Sequence, residues 1–274
     1  MNHWSEGDVV VNDVRIHYHR TGNQGAGGSK PSLVLCHGIT DNGLCWRRVA
    51  TALESKFDII MVDARGHGQS DAPDGSYHAD AHAADVVGLI ASLGLQKPLL
   101  MGHSMGGATV ATLAANYPAI PSRVVLEDPP WRMEASNPEE QVKRMAEWRE
   151  MTIRRQQTKS QAEIIEEGRA VNPKWDESEF EFWSLAKKMV SPKVFGFGIA
   201  APPAIQWRNL VGKITCPTLL VGGDPELGGI IDAACAQFAT AANPQIQFAH
   251  VANAGHNIRR DQFQPFVDQV SKFL

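Results

Sequence analysis

Only four cysteines occur in this 274-residue chain, and none of Cys36, Cys45, Cys216 and Cys235 forms a Cys-x-x-Cys pair. Cys36 and Cys216 fall in or beside apolar runs, where a free thiol behaves as a small hydrophobe. No apolar stretch approaches the length of a membrane-spanning helix. Met1 to Val11 carries neither a basic region nor an apolar run, so no secretory signal is read there. Positive charge is not in excess: the formal net charge is -4, which gives no electrostatic case for nucleic acid or an anionic membrane. Internal repeats and low-complexity tracts are also missing. These absences predict a reduced, cytoplasmic protein whose partner is a small-molecule substrate. A homodimer is compatible with them and not required by them.

What is present is ordinary for a globular chain: 43% hydrophobic and 20% charged residues, at a length that suits one α/β domain with an insertion. Val9 to Tyr18 alternates around Asn12-Asp13 and predicts a β-hairpin. Short unalternating apolar runs follow at Ser32–Cys36, Phe57–Val62, Pro98–Met101, Arg123–Leu126, Pro217–Val221 and Ile246–His250. Runs of this kind suit strands buried on both faces of a parallel sheet. Helical stretches lie between and after them, at Cys45–Leu53, Ala79–Leu93, Ala108–Tyr117, Ile231–Ala241 and Gln262–Leu274. The β-α-β-α order predicts a doubly wound α/β sheet.

The alternation stops between Pro129 and Trp207. The expected division is a core of residues 1–128 and 208–274 with a helical cap of residues 129–207. Asn137-Pro138-Glu139-Glu140 has the form of a helix start, with a capping side chain, proline at the first position and acids in the first turn. A further helix is predicted over Glu177–Val190, and Gly196 and Gly198 are candidate hinges. Five of the seven tryptophans fall in this segment. Most are read as glue between cap and core; Trp131 is singled out as a substrate contact, because it follows a candidate catalytic residue.

The most informative run is Leu99-Leu100-Met101-Gly102-His103-Ser104-Met105-Gly106-Gly107. An apolar strand enters Gly-x-Ser-x-Gly and a helix leaves it. So tight a turn forces a strained serine and needs glycines where a Cβ would clash. The following helix directs its free N–H groups and positive dipole end at the same spot. Ser104 is therefore the candidate nucleophile. A serine hydroxyl needs a base, and His256, in a glycine-containing loop after the last strand, is the candidate. Its orienting carboxylate is expected at Asp128, after the Arg123–Glu127 strand, or at Asp224 or Glu226 after the next strand; Asp128, beneath the predicted cap, is preferred. The backbone N–H groups of Met105 and Ile39 are the expected oxyanion donors. His78 and His82 have i,i+4 spacing, but with no third ligand evident they read as a solvated helix face, and no metal is expected.

Together these residues resemble the α/β-hydrolase superfamily. The elements that carry the resemblance are His37-Gly38, Asp63-Ala64-Arg65-Gly66-His67-Gly68-Gln69-Ser70, Gly102-His103-Ser104-Met105-Gly106-Gly107 and Gly255-His256. The resemblance implies an eight-stranded, mostly parallel sheet, a helical cap after the sixth strand and no cofactor. Asp128-Pro129-Pro130 and Asn253-Ala254-Gly255-His256 are similar to the branch that contains the N-formylmaleamate deformylases. In that branch the acid follows the sixth strand, which again implies Asp128. The leading functional expectation is hydrolysis of a carboxylic ester or lactone of a hydrophobic or aromatic small molecule through an acyl-enzyme. The alternatives are amide, formamide or carbon–carbon bond hydrolysis, or a slow-turnover ligand sensor on the same scaffold. Epoxide and haloalkane hydrolysis are disfavoured, because both need a carboxylate where this chain has Ser104.

Overall fold

A computed structural model describes residues 4–22, 24–25, 28–133, 137–195 and 207–274. Eight strands form one sheet: β1 (Ser5–Val11), β2 (Val14–Arg20), β3 (Ser32–Cys36), β4 (Asp58–Val62), β5 (Leu99–His103), β6 (Arg123–Glu127), β7 (Thr218–Gly222) and β8 (Ile246–His250). Their order is β1-β2-β4-β3-β5-β6-β7-β8. β1 and β2 are antiparallel, β2 meets β4 antiparallel, and every pairing from β4 to β8 is parallel. This is the eight-stranded, mostly parallel sheet that the resemblance implies.

The hairpin closes through Asn12 and Asp13, both left-handed with φ 50° and 59°. Short polar side chains tolerate that geometry, and its twist matches that of the strands. In the central strands, period-two alternation feeds two separate cores. Val34, Ile60, Leu100, Val124, Leu126 and Leu220 pack on one face; Leu33, Leu35, Ile59, Met61, Met101 and Val125 pack on the other. Each such fully buried aliphatic side chain stabilises the fold by about 1.5–3 kcal/mol. Helices α1 (Arg47–Leu53), α2 (Ala79–Ser92) and α3 (Met105–Asn116) cover the first part of the sheet. β8 departs from the expected doubly buried strand: it is the sheet edge, where Ile246 is buried and Phe248 lies exposed.

Between β6 and β7 the chain leaves the sheet for α4 (Pro138–Thr158), α5 (Gln161–Val171) and α6 (Glu177–Met189). Asn137 caps α4 as its sequence predicts, accepting from the Glu139 N–H at 2.9 Å. α5 is a helix that apolar periodicity did not announce. Its start is marked instead by a Ser160/Glu163 capping box. The insert is bolted to the core by tryptophan: Trp175 Nε1 donates to Asp261 at 2.8 Å and its ring carries the Arg260 guanidinium at 4.7 Å. The candidate hinges Gly196 and Gly198 lie outside the described residues. The chain returns through α7 (Trp207–Val211), α8 (Ala233–Ala242), α9 (Ile258–Asp261) and α10 (Phe263–Phe273). No helix among the described residues is long and apolar enough to cross a membrane.

Candidate active site

β5 ends at His103, Ser104 takes φ 52° and ψ -114°, and α3 begins at the next residue. The helix thus starts three residues before the expected Ala108. Gly106 and Gly107 are weak helix formers by propensity, but tertiary contact requires glycine at 106. A Cβ on Gly106 would stand 2.1 Å from the Cys36 carbonyl oxygen, and one on Gly102 2.1 Å from that of Gly106. The elbow therefore presses the first turn of α3 against the end of β3, with the strain confined to Ser104.

The loop after β3 runs beside this elbow. A Cβ on Gly38 would meet His103 Nδ1 at 2.8 Å and Ser104 Cβ at 3.4 Å. The Asp41 N–H closes a turn onto the Gly38 carbonyl at 3.1 Å, with Thr40 left-handed at φ 67°. His37 ties the loop to the end of β4: it accepts from the Ala64 N–H through Nε2 at 3.0 Å and donates from Nδ1 to the Gly38 carbonyl at 2.8 Å. Ile39 follows Gly38 in this loop, between these anchors, and Met105 is the first residue of α3, directly after Ser104.

His256 lies in the loop after β8, its side chain 31% exposed. Its Nδ1–H donates to Asp128 Oδ2 at 2.6 Å, and Asp128 is fully buried. The same carboxylate accepts from the Ile230 and Ile231 N–H groups at 2.9 and 3.0 Å. The other two candidate acids are elsewhere. Asp224 bonds His250 Nε2 at 2.6 Å and the Asn253 N–H at 2.7 Å, while Glu226 is exposed in a 3-10 turn. His103 has a role that sequence reading missed: its Nε2–H donates to the His256 carbonyl at 2.9 Å and the two rings lie 4.7 Å apart. Burial, with Arg259 and His256 nearby, holds the His103 imidazolium well below its ordinary range, so the ring stays neutral.

Trp131 is not brought to the site. It is fully buried, stacked on Trp207 at 5.1 Å in the core against α3 and α8, and offers no surface to a ligand. The apolar side chain two residues beyond the Asp128-Pro129 bend is drawn into the core. His82 also departs from expectation. It is buried rather than solvated, and burial followed by the Arg65 charge lowers its pKa to about 3.

Beneath the site lies a buried ionic network that the sequence did not announce. Lys187 Nζ, from α6, donates to the Thr40 carbonyl at 2.9 Å, Thr40 Oγ1 at 2.8 Å and Asp41 Oδ1 at 3.0 Å. Arg259 pairs with Glu127 at 3.0 Å and with Asp41 at 3.2 Å; Arg260 pairs with Asp41 and Glu179 at 3.1 Å each. Burial raises the Asp41 pKa, but Arg260, Lys187 and Arg259 outweigh it and hold the carboxyl well below the usual range. The available signal was Arg259-Arg260, two charges at the foot of an apolar C-terminal helix, close after Gly255-His256.

A family model described as the alpha/beta hydrolase fold matches residues 31–259. N-formylmaleamate deformylase of Pseudomonas putida is 29% identical over 270 residues, covering 98% of this chain and 96% of that protein. 2-(Acetamidomethylene)succinate hydrolase of Mesorhizobium japonicum is 41% identical over 101 residues, 37% of this chain and 36% of the relative. The chain thus matches only about a third of that second relative's length. The crystal structure of an E-2-(acetamidomethylene)succinate hydrolase superposes with a TM-score of 0.80 at 21% identity, covering 99% of both chains, a likeness of fold.

Proposed function

The chain belongs to the alpha/beta hydrolase fold family, and from that membership we propose that it is a serine hydrolase acting at an acyl carbonyl through Ser104, His256 and Asp128. The observation that carries this reading is the 2.6 Å bond from His256 Nδ1–H to a buried Asp128, in a loop that His103 draws toward the strained serine. A carboxylate at Nδ1 fixes the tautomer in which Nε2 bears the lone pair, as a base requires. Ser104 Oγ then attacks the carbonyl carbon as His256 Nε2 takes its proton. The oxyanion is stabilised by the Met105 and Ile39 N–H groups. Collapse breaks the bond to the leaving group, which receives the proton from His256. Water, deprotonated by His256, attacks the acyl-enzyme and releases a carboxylic acid, and Ser104 recovers its proton.

For the scissile bond we favour an N-acyl or N-formyl amide over the ester or lactone that the sequence first suggests. The support is the nearly full-length similarity to N-formylmaleamate deformylase. Ester cleavage uses the same groups and needs less help for the leaving group, so activated esters serve as surrogate substrates. α4, α5 and α6 would form the lid. Ile39 packs with Tyr77, Val190, Val194, Phe195, Met145 and Trp148, an apolar wall that supports a hydrophobic or aromatic portion in the substrate. Four free, buried cysteines support the cytoplasmic placement.

The test is labelling with a fluorophosphonate, followed by turnover of N-formyl and N-acetyl amides against p-nitrophenyl esters. The expected result is one label at Ser104, none in Ser104→Ala, and amide turnover that disappears in the same variant. Labelling without turnover of any amide or ester would replace the hydrolase reading with the sensor.

A further inference from the structure

The β1–β2 hairpin carries a cluster that the hydrolytic site does not use. His17 and His19 are two apart on β2 and so share a face. The register sets Glu6 opposite His19 and Asp8 opposite His17. Both imidazoles are buried, edge to face at 4.9 Å, while the Glu6 side chain is 64% exposed. Glu6 Oε2 stands 3.8 Å from His17 Nε2 and 3.6 Å from His19 Nδ1. The donor atoms of all three residues lie within 4.8 Å of one another.

These separations are too long for hydrogen bonds. They approach the edge of a tetrahedron of donors around Zn²⁺, about 3.4 Å for bonds of about 2.0–2.1 Å. A second observation concerns which His17 nitrogen carries the lone pair that a metal would take from the Gln69 amide. Nδ1 lies 3.1 Å from Asp8 Oδ1, and a carboxylate only accepts, so Nδ1 carries the hydrogen and Nε2 the lone pair. The Gln69 amide N–H donates to that same Nε2 at 3.0 Å, as it does only to an acceptor. A ligating histidine whose other N–H is held by a carboxylate is the usual arrangement around a protein-bound metal.

We propose that Glu6 Oε2, His17 Nε2 and His19 Nδ1 form a binding site for a divalent transition-metal ion of the Zn²⁺ type, with Asp8 orienting His17. The fourth position falls to water or to the Gln69 side-chain carbonyl once that amide turns. Two imidazoles and one carboxylate suit Zn²⁺ and Co²⁺ over Mg²⁺ or Ca²⁺, which prefer all-oxygen sites. The ion would clamp two antiparallel strands at the sheet edge. In the sheet order, β4 and β3 separate β2 from the strand that leads to Ser104, so the role is structural. This departs from the expectation of no metal, which rested on His78 and His82.

The test uses the full chain dialysed against EDTA. Titration with ZnCl₂ by calorimetry is expected to show one strong site per chain and a rise in melting temperature. Co²⁺ is expected to give the intense visible absorption of a four-coordinate site. Glu6→Gln, at an exposed position, and His19→Gln should each weaken Zn²⁺ binding at least about tenfold. Ester turnover of metal-free protein should match that of the Zn²⁺-loaded form. Equal Zn²⁺ affinity in wild type and Glu6→Gln, or no Zn²⁺ uptake by metal-free wild type, overturns the proposal.

Discussion

At Asp128 the backbone is left-handed, φ 44°, a conformation that a branched side chain would resist and that aims this carboxylate sideways out of the strand end. From there it collects the Ile230 and Ile231 amides and the His256 imidazole. Replacing it with asparagine keeps the shape but sets an amide against an N–H donor and favours the wrong tautomer. Asp128→Asn is therefore expected to lower kcat by about 10³-fold or more, with folding intact. Asp224→Asn, which touches His250 and not His256, should leave kcat within a few-fold. Steady-state rates on one activated ester compare the two, and the reverse order would move the acid to Asp224. The choice among the acids was open in the sequence because both strand ends face one crevice; in the structure Asp128 bonds His256 and Asp224 bonds His250. Trp131 shows the opposite failure. Nearness in sequence to Asp128 suggested contact with substrate, yet apolar area favours its burial on Trp207.

Among the elements, the strand–turn–helix around Ser104 was the most legible, because its glycines answer a steric demand that is local. Gly106→Ala should destabilise the protein by at least about 2 kcal/mol, since the obstructing atom is a backbone carbonyl that cannot turn away. Urea denaturation reads this directly, and an unchanged midpoint would mean that the elbow is looser than described. α6 is different. Its sequence predicts a helix, and nothing in it says that Lys187 reaches Thr40 and Asp41. That contact joins the inserted helices to the loop carrying Ile39. Lys187→Met is expected to reduce kcat at least about tenfold with a smaller change in KM, because on the proposed mechanism it disturbs the loop that carries the oxyanion donor Ile39 rather than a substrate contact. Equal effects on kcat and KM in opposite senses would assign Lys187 to substrate binding instead.

For the whole molecule, buried neutral histidines set the response to acid. His37, His67, His82 and His103 are all buried, and burial lowers the pKa of each. For His82 the folded value is about 3, against an ordinary 6.5. Between those limits the unfolded chain binds a proton that the folded protein refuses, so stability falls as pH drops below 6.5 and continues falling toward 3. The slope is about 1.4 kcal/mol per pH unit for each fully protonating histidine. His82→Leu should flatten the dependence of unfolding free energy on pH between 7 and 5. A slope identical to wild type would show that His82 is not the neutral, buried group described.

Periodicity and steric necessity were written in the chain. Buried parallel strands need unbroken apolar runs, the hairpin needs residues that accept positive φ, and the elbow needs glycine at 102 and 106. These are demands on neighbours in sequence, and they made Ser104 a candidate nucleophile and, through the place of the last strand, His256 a candidate base. Tertiary packing alone decided the rest. It set Asp128 against His256 and Asp224 against His250, sent Trp131 and His82 into the interior and gathered Asp41, Lys187, Arg259 and Arg260 into one network. Each of these is a contact between residues far apart in the chain, and its energy depends on burial and register that no local pattern encodes.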